Sequence, residues 1–170
     1  MFDKITIKEF LEHGAKDING PSSGVFTLLT YLQGIGLISK ACVFALQNIS
    51  EKDNKIYKKI MIRCEEEIER NLSLAQLEKK YFSEFINSSK DTRQKNRKNI
   101  DIVPNRIIVS AKDMVEFFSP YRNLFSEPHI CEIECGLTLI RSSLTMAERI
   151  ISTNVEFFDK DQSCNMENEK

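Results

Sequence analysis

The 170-residue chain has no tryptophan, only four prolines and only six glycines. So little punctuation argues against many short strands and favours a few long elements. It also lacks a surplus of charge: 24 basic residues face 25 acidic ones, a net −1. No global field therefore draws it to nucleic acid or to an anionic membrane. The opening MFDKITIKEFLEHG spreads charges along its length and has no signal-like apolar core, so no secretory leader is expected. Five cysteines, an odd number, show no disulfide-framework spacing. A reducing cytoplasm is the expected home for them.

What is present is 41% apolar residues and 29% charged ones in 19.7 kDa, enough for one domain with a real core. A short amphipathic helix is expected from Thr6, as N-cap with Glu9 three residues on, to His13, burying Phe10 and Leu11. The turn Gly20-Pro21-Ser22-Ser23-Gly24 launches a second helix to about Asn48, apolar nearly all the way round. Such a helix is central in a bundle or in a membrane. Ser22, Ser23, Thr27, Thr30, Gln33, Ser39 and Lys40 interrupt the run and no basic flank orients it, so the bundle is the reading. Gly34 and Gly36 are expected to admit another backbone.

A third helix is expected over 52–87, unbroken and roughly 50 Å long, on the stripe Ile56, Ile60, Cys64, Ile68, Leu72, Ala75, Phe82 and Ile86. The stretch SSKDTRQKNRKN, 88–99, reads as a solvated loop rather than a nucleic-acid patch, since no aromatic is interleaved. A fourth helix begins near Pro104 and ends or kinks at Pro120. A fifth runs from about Glu132 to Phe157. The expected architecture is all-α: an elongated bundle of about five helices, one of them the short N-terminal one, over 1–158. The polar tail 159–170 is expected to be disordered.

Three places could carry chemistry. The start of the second helix, at Pro21, Ser22, Ser23 and Gly24, offers free N–H groups and a positive dipole end to an anion, or is an ordinary capped helix. In EPHICEIECG, 127–136, Cys131 and Cys135 share a helical face, yet no second Cys/His pair completes a metal site, so no metal is expected. Glu134 there is either a carboxylate turned into the bundle, able to move protons near neutrality, or one answering the helix dipole. In YFSEF, 81–85, with Glu78 one turn earlier, the aromatics read as core with Glu84 on the wet side, or as a surface on which a ligand stacks.

The motifs stand in a telling order: Ile5-Thr6-Ile7-Lys8-Glu9-Phe10-Leu11, then Pro21-Ser22-Ser23-Gly24, Gly34, Glu78 with Phe82, Val103-Pro104, and last Glu127-Pro128-His129 with Ile133-Glu134-Cys135-Gly136. This set resembles the formimidoyltetrahydrofolate cyclodeaminase and methenyltetrahydrofolate cyclohydrolase family, all-helical dimeric enzymes of one-carbon folate metabolism. The resemblance covers roughly residues 1–158. It implies a homodimer acting on C–N bonds of a tetrahydrofolate derivative, with no tightly bound cofactor and no nucleic-acid or membrane partner. It implies Glu134 as the catalytic proton-transfer residue, and Pro21, Ser22, Ser23, Gly24 and His129 as substrate-binding residues. The chain departs from the family pattern in a Ser-Ser-Gly where glycines are usual, and in Glu134 and Ile133 where aspartate and serine are usual. A catalytically degenerate helical homodimer, serving as a binding or assembly scaffold, is the alternative.

Overall fold

The computed structural model describes residues 6–18, 20–47, 54–125, 127 and 129–168, and for residues 90–91 and 159–168 the backbone alone. Ile5, Asn48, residues 52–53 and Pro128, all named in the sequence reading, lie outside the described residues. Among the described residues every regular element is helical. These elements are α1 (Ile7–Lys16), α2 (Ser23–Leu46), α3 (Asn54–Leu72), α4 (Leu74–Ile86), α5 (Lys90–Lys95), α6 (Ile102–Phe118) and α7 (His129–Asn168). Two 3₁₀ segments, Arg97–Asp101 and Ser119–Leu124, precede and follow α6.

α1 forms where the capping box predicts: Thr6 Oγ1 accepts from Glu9 N at 3.2 Å, and Glu9 Oε2 accepts from Thr6 N at 2.7 Å. Its one buried side chain, Phe10, meets the edge of Phe26. Leu11, expected inside, is exposed.

α2 is the axis of the bundle, packed against α3, α4, α6 and α7. By length and composition it could cross a bilayer, but here half of its apolar stretch is buried in the bundle. Val25, Leu28, Tyr31, Ile35, Ile38 and Cys42 are fully buried. Its crossing with α7 is glycine on glycine: a Cβ on Gly34 would stand 2.6 Å from the Gly136 carbonyl oxygen, and one on Gly136 2.8 Å from that of Gly34. Two backbones in such contact leave no room for a side chain. Gly36, expected to share this role, faces open space.

Two expected elements come out differently. The long third helix is broken at Ser73 into α3 and α4. Just before the break, Asn71 Nδ2 donates to the Glu67 carbonyl at 2.8 Å and Ser73 Oγ to the Arg70 carbonyl at 3.5 Å. Side chains that bond the helix's own carbonyls weaken its continuation. α7 starts at His129 rather than Glu132, and its backbone continues past Phe157 through most of the expected tail to Asn168. No glycine or proline follows Gly136 to stop it.

The polar stretch 88–99 holds α5 and the start of a 3₁₀ segment. Arg93 Nε and Nη2 donate to the Phe85 and Ile86 carbonyls at 2.8 and 2.9 Å, closing the last turn of α4. Arg97 lies over the Phe158 ring at 4.9 Å. These cations serve the bundle.

Candidate functional site

The turn into α2 is a buried polar place in the interior. Pro21, Ser22 and Gly24 are buried while Ser23 faces outward. Ser22 is the N-cap: its Oγ accepts from Val25 N at 3.4 Å. The same hydroxyl donates to Glu78 Oε1 of α4 at 2.9 Å. A Cβ on Gly24 would run into the Glu78 carboxyl group, so glycine at that position admits the carboxyl to the helix end.

Glu78 is 5% exposed, and its Oε2 has no hydrogen-bond partner. Burial pushes its carboxyl above the usual carboxylate range, with the Ser22 hydrogen bond pulling the other way. A carboxyl group of this kind keeps its proton to higher pH than one in water. It can therefore give up or take a proton closer to neutrality.

On the other side of the same helix start, α2 and α7 leave a groove of about 580 Å³. Ser23 and Thr27 line it from α2, and Ser142, Thr145, Met146, Arg149 and Ile150 from α7. The wall is mostly apolar, with hydroxyls and one guanidinium at its edges. That composition suits an aromatic ligand body with an anionic end.

The sequence-predicted residues fall into two groups. α2 and α7 run antiparallel: the groove pairs Ser23 with the 142–150 stretch, Gly34 meets Gly136, and Lys40 Nζ lies 3.8 Å from Glu132 Oε1. Glu134 and His129 are therefore at the opposite end of α2 from Pro21, Ser22, Ser23 and Gly24. At ~1.5 Å per residue, Glu134 is about 20 Å from them within one chain. Glu134 does not turn into the bundle. Its side chain is 40% exposed, and its Oε1 is held by Arg122 Nη2 at 2.6 Å and Nε at 2.7 Å. His129 stacks on Phe44 with ring centroids 5.7 Å apart.

A third polar cluster links α2, α3 and α6. Glu67, fully buried, accepts from Tyr31 Oη at 2.7 Å, Asn71 Nδ2 at 2.9 Å, and the Arg63 and Arg70 guanidiniums at 3.1 Å each. Tyr31 Oη also reaches the Ser110 carbonyl at 3.4 Å. With burial and Glu67 beside it, the Tyr31 phenol is held far above its usual range. This cluster ties three helices together. It turns no polar group toward the groove.

Two residues of consequence were not singled out as sites from the sequence. Glu78 appeared beside YFSEF as one turn earlier and as a spacing marker before Phe82, with no role of its own. Its signal is its place with Ala75 on the inward face of α4, one turn apart. Glu67 likewise falls on the Ile60–Cys64 face of α3.

These features define a class: an all-α bundle around one apolar axis, with a buried acid at the axis start and a groove alongside. No family model matches the chain, and no curated protein matches it. A solved structure does. The chain is similar to the crystal structure of formiminotetrahydrofolate cyclodeaminase from Thermotoga maritima, with a TM-score of 0.82 and 17% identity. The match covers 99% of this chain and 88% of that one. The two share a fold over that span.

Proposed function

We propose that this chain is a divergent member of the formimidoyltetrahydrofolate cyclodeaminase and methenyltetrahydrofolate cyclohydrolase family, acting as a homodimer on C–N bonds of a tetrahydrofolate derivative. The observation that carries the reading is the Ser22–Glu78 pair at the start of α2, the helix whose Ser23 and Thr27 also line a groove of ligand size. The shared fold and the order of motifs along the chain support it. Free thiols with no disulfide among the described cysteines suit a reducing cytoplasm.

Opening a methenyl bridge adds water to a cationic, amidinium-like carbon and releases a ring nitrogen. The water must lose a proton and the nitrogen must gain one. Closing the bridge from a formimino group expels ammonia and again needs a proton moved. Glu78 is the residue assigned that task; it and Ser22 are buried at the start of α2, next in sequence to Ser23, where the groove begins. One well-placed acid–base group is worth roughly 10²–10⁴-fold. The apolar groove takes the ring system. Arg149 and the first turn of α2 offer positive charge to the anionic glutamate tail. Glu134, neutralised by Arg122, is given no step.

One feature favours a second reading, a scaffold that no longer turns over: within one chain the carboxylate in the family's last motif lies about 20 Å from the substrate turn. Titration with 5-formyltetrahydrofolate, a stable analogue, tests the binding half of the proposal. Wild type binds, and Met146→Glu, which sets a carboxylate in the groove wall, weakens binding by tenfold or more. No binding by wild type overturns both the folate assignment and the folate scaffold. Binding without turnover selects the scaffold.

A further inference from the structure

We propose that Cys131 and Cys135 form an exposed two-thiol site for a soft monovalent d¹⁰ cation, copper(I) in chemical terms, on the first turns of α7. The site is independent of the groove and of the folate reading.

Four residues apart on one helix, the two side chains stand over each other, with Cβ atoms about 5–6 Å apart. One ion can bridge that span without unwinding the helix. Both cysteines are exposed. Cys135, and after it the Glu132 and Glu127 carboxylates, hold the Cys131 thiol above the usual range, so the ion must displace its proton. Glu132 already attracts the Lys40 ammonium, 3.8 Å away.

The donor set selects the ion. Among the described residues no three His, Cys, Asp or Glu side chains converge. A structural zinc ion, which takes four ligands, finds half a site here. Soft thiolates favour copper(I), which is satisfied by two of them. The other two described cysteines cannot compete: Cys42 and Cys64 are buried and each thiol is pushed up to about 12 by burial. On binding, two S–H bonds break and two Cu–S bonds form. The two protons pass to solvent and copper stays monovalent.

The test titrates the reduced full chain, without oxygen, against copper(I) held by a chromophoric chelator. Wild type withdraws one copper(I) per chain. Cys131→Ser and Cys135→Ser each hold it on the order of a hundredfold more weakly, since one thiol loses the effective concentration of its neighbour. Cys42→Ser and Cys164→Ser bind as wild type does, and excess zinc(II) does not displace the copper. Circular dichroism of each variant confirms that the bundle is intact. No withdrawal by wild type overturns the proposal. So does wild-type affinity in either exposed-cysteine variant, loss of binding in Cys164→Ser, or displacement by zinc.

Discussion

Replacing Glu78 by glutamine removes a charge that the interior resists, and the consequence is a change in how stability depends on pH. In the unfolded chain the carboxyl titrates near its ordinary value, about 4.3. In the fold, burial beside Gly24 raises that value. Below the unfolded value both states carry the proton, and Glu78 contributes no pH dependence. Between the two values the folded state keeps a proton that the unfolded state has lost. Stability therefore falls as pH rises, by about 1.4 kcal/mol for each pH unit of that window, and levels off above it. The substituted glutamine cannot ionise, and its side-chain carbonyl still accepts from Ser22. Urea unfolding followed by circular dichroism, at half-unit steps from pH 4 to 8, reads this directly. Glu78→Gln and wild type have similar stability at the acid end and separate as pH rises, with the variant the more stable. Parallel curves over the whole range would refute the buried-acid reasoning.

Other perturbations test the frame. Gly34→Ala drives a methyl into the Gly136 carbonyl and costs roughly 1–3 kcal/mol, while Gly36→Ala, into open space, gains about 0.5–1 kcal/mol; thermal melts of the pair decide it. Tyr31→Phe strips one donor from buried Glu67 and lowers stability by about 1–2 kcal/mol in urea titrations. Glu134→Ala breaks a surface pair with Arg122 and costs under about 1 kcal/mol, with the pair's contribution shrinking further in high salt.

The bundle was legible because its signals are local and strong. The Thr6–Glu9 box, the apolar run of α2, the stripe of α6 and Pro120 at a helix end all act within a turn or two of themselves. Gly34 was legible as a close approach, but Gly36 has the same sequence signal. Only the opposing Gly136, about a hundred residues on, tells them apart. The break at Ser73 was hidden because neither glycine nor proline marks it. It comes from Asn71 and Ser73 bonding backbone carbonyls of the preceding turn.

The site was half legible. A serine cap at 22 or 23 was legible, and the structure makes it Ser22. Its partner Glu78 is 56 positions away, and a charged residue on a helix reads as wet until a buried serine is seen beside it. Of the two orientations expected for Glu134 the structure shows the outward one, and nothing near it in sequence shows that Arg122 will pair with it.

The most direct measurement of the central claim follows the absorbance of 5,10-methenyltetrahydrofolate with wild type, Glu78→Gln, Glu134→Ala and buffer alone. The account predicts accelerated loss with wild type and with Glu134→Ala. Glu78→Gln should be slower by roughly 10²–10⁴-fold. Loss at the buffer rate with wild type, or undiminished loss with Glu78→Gln, would contradict it.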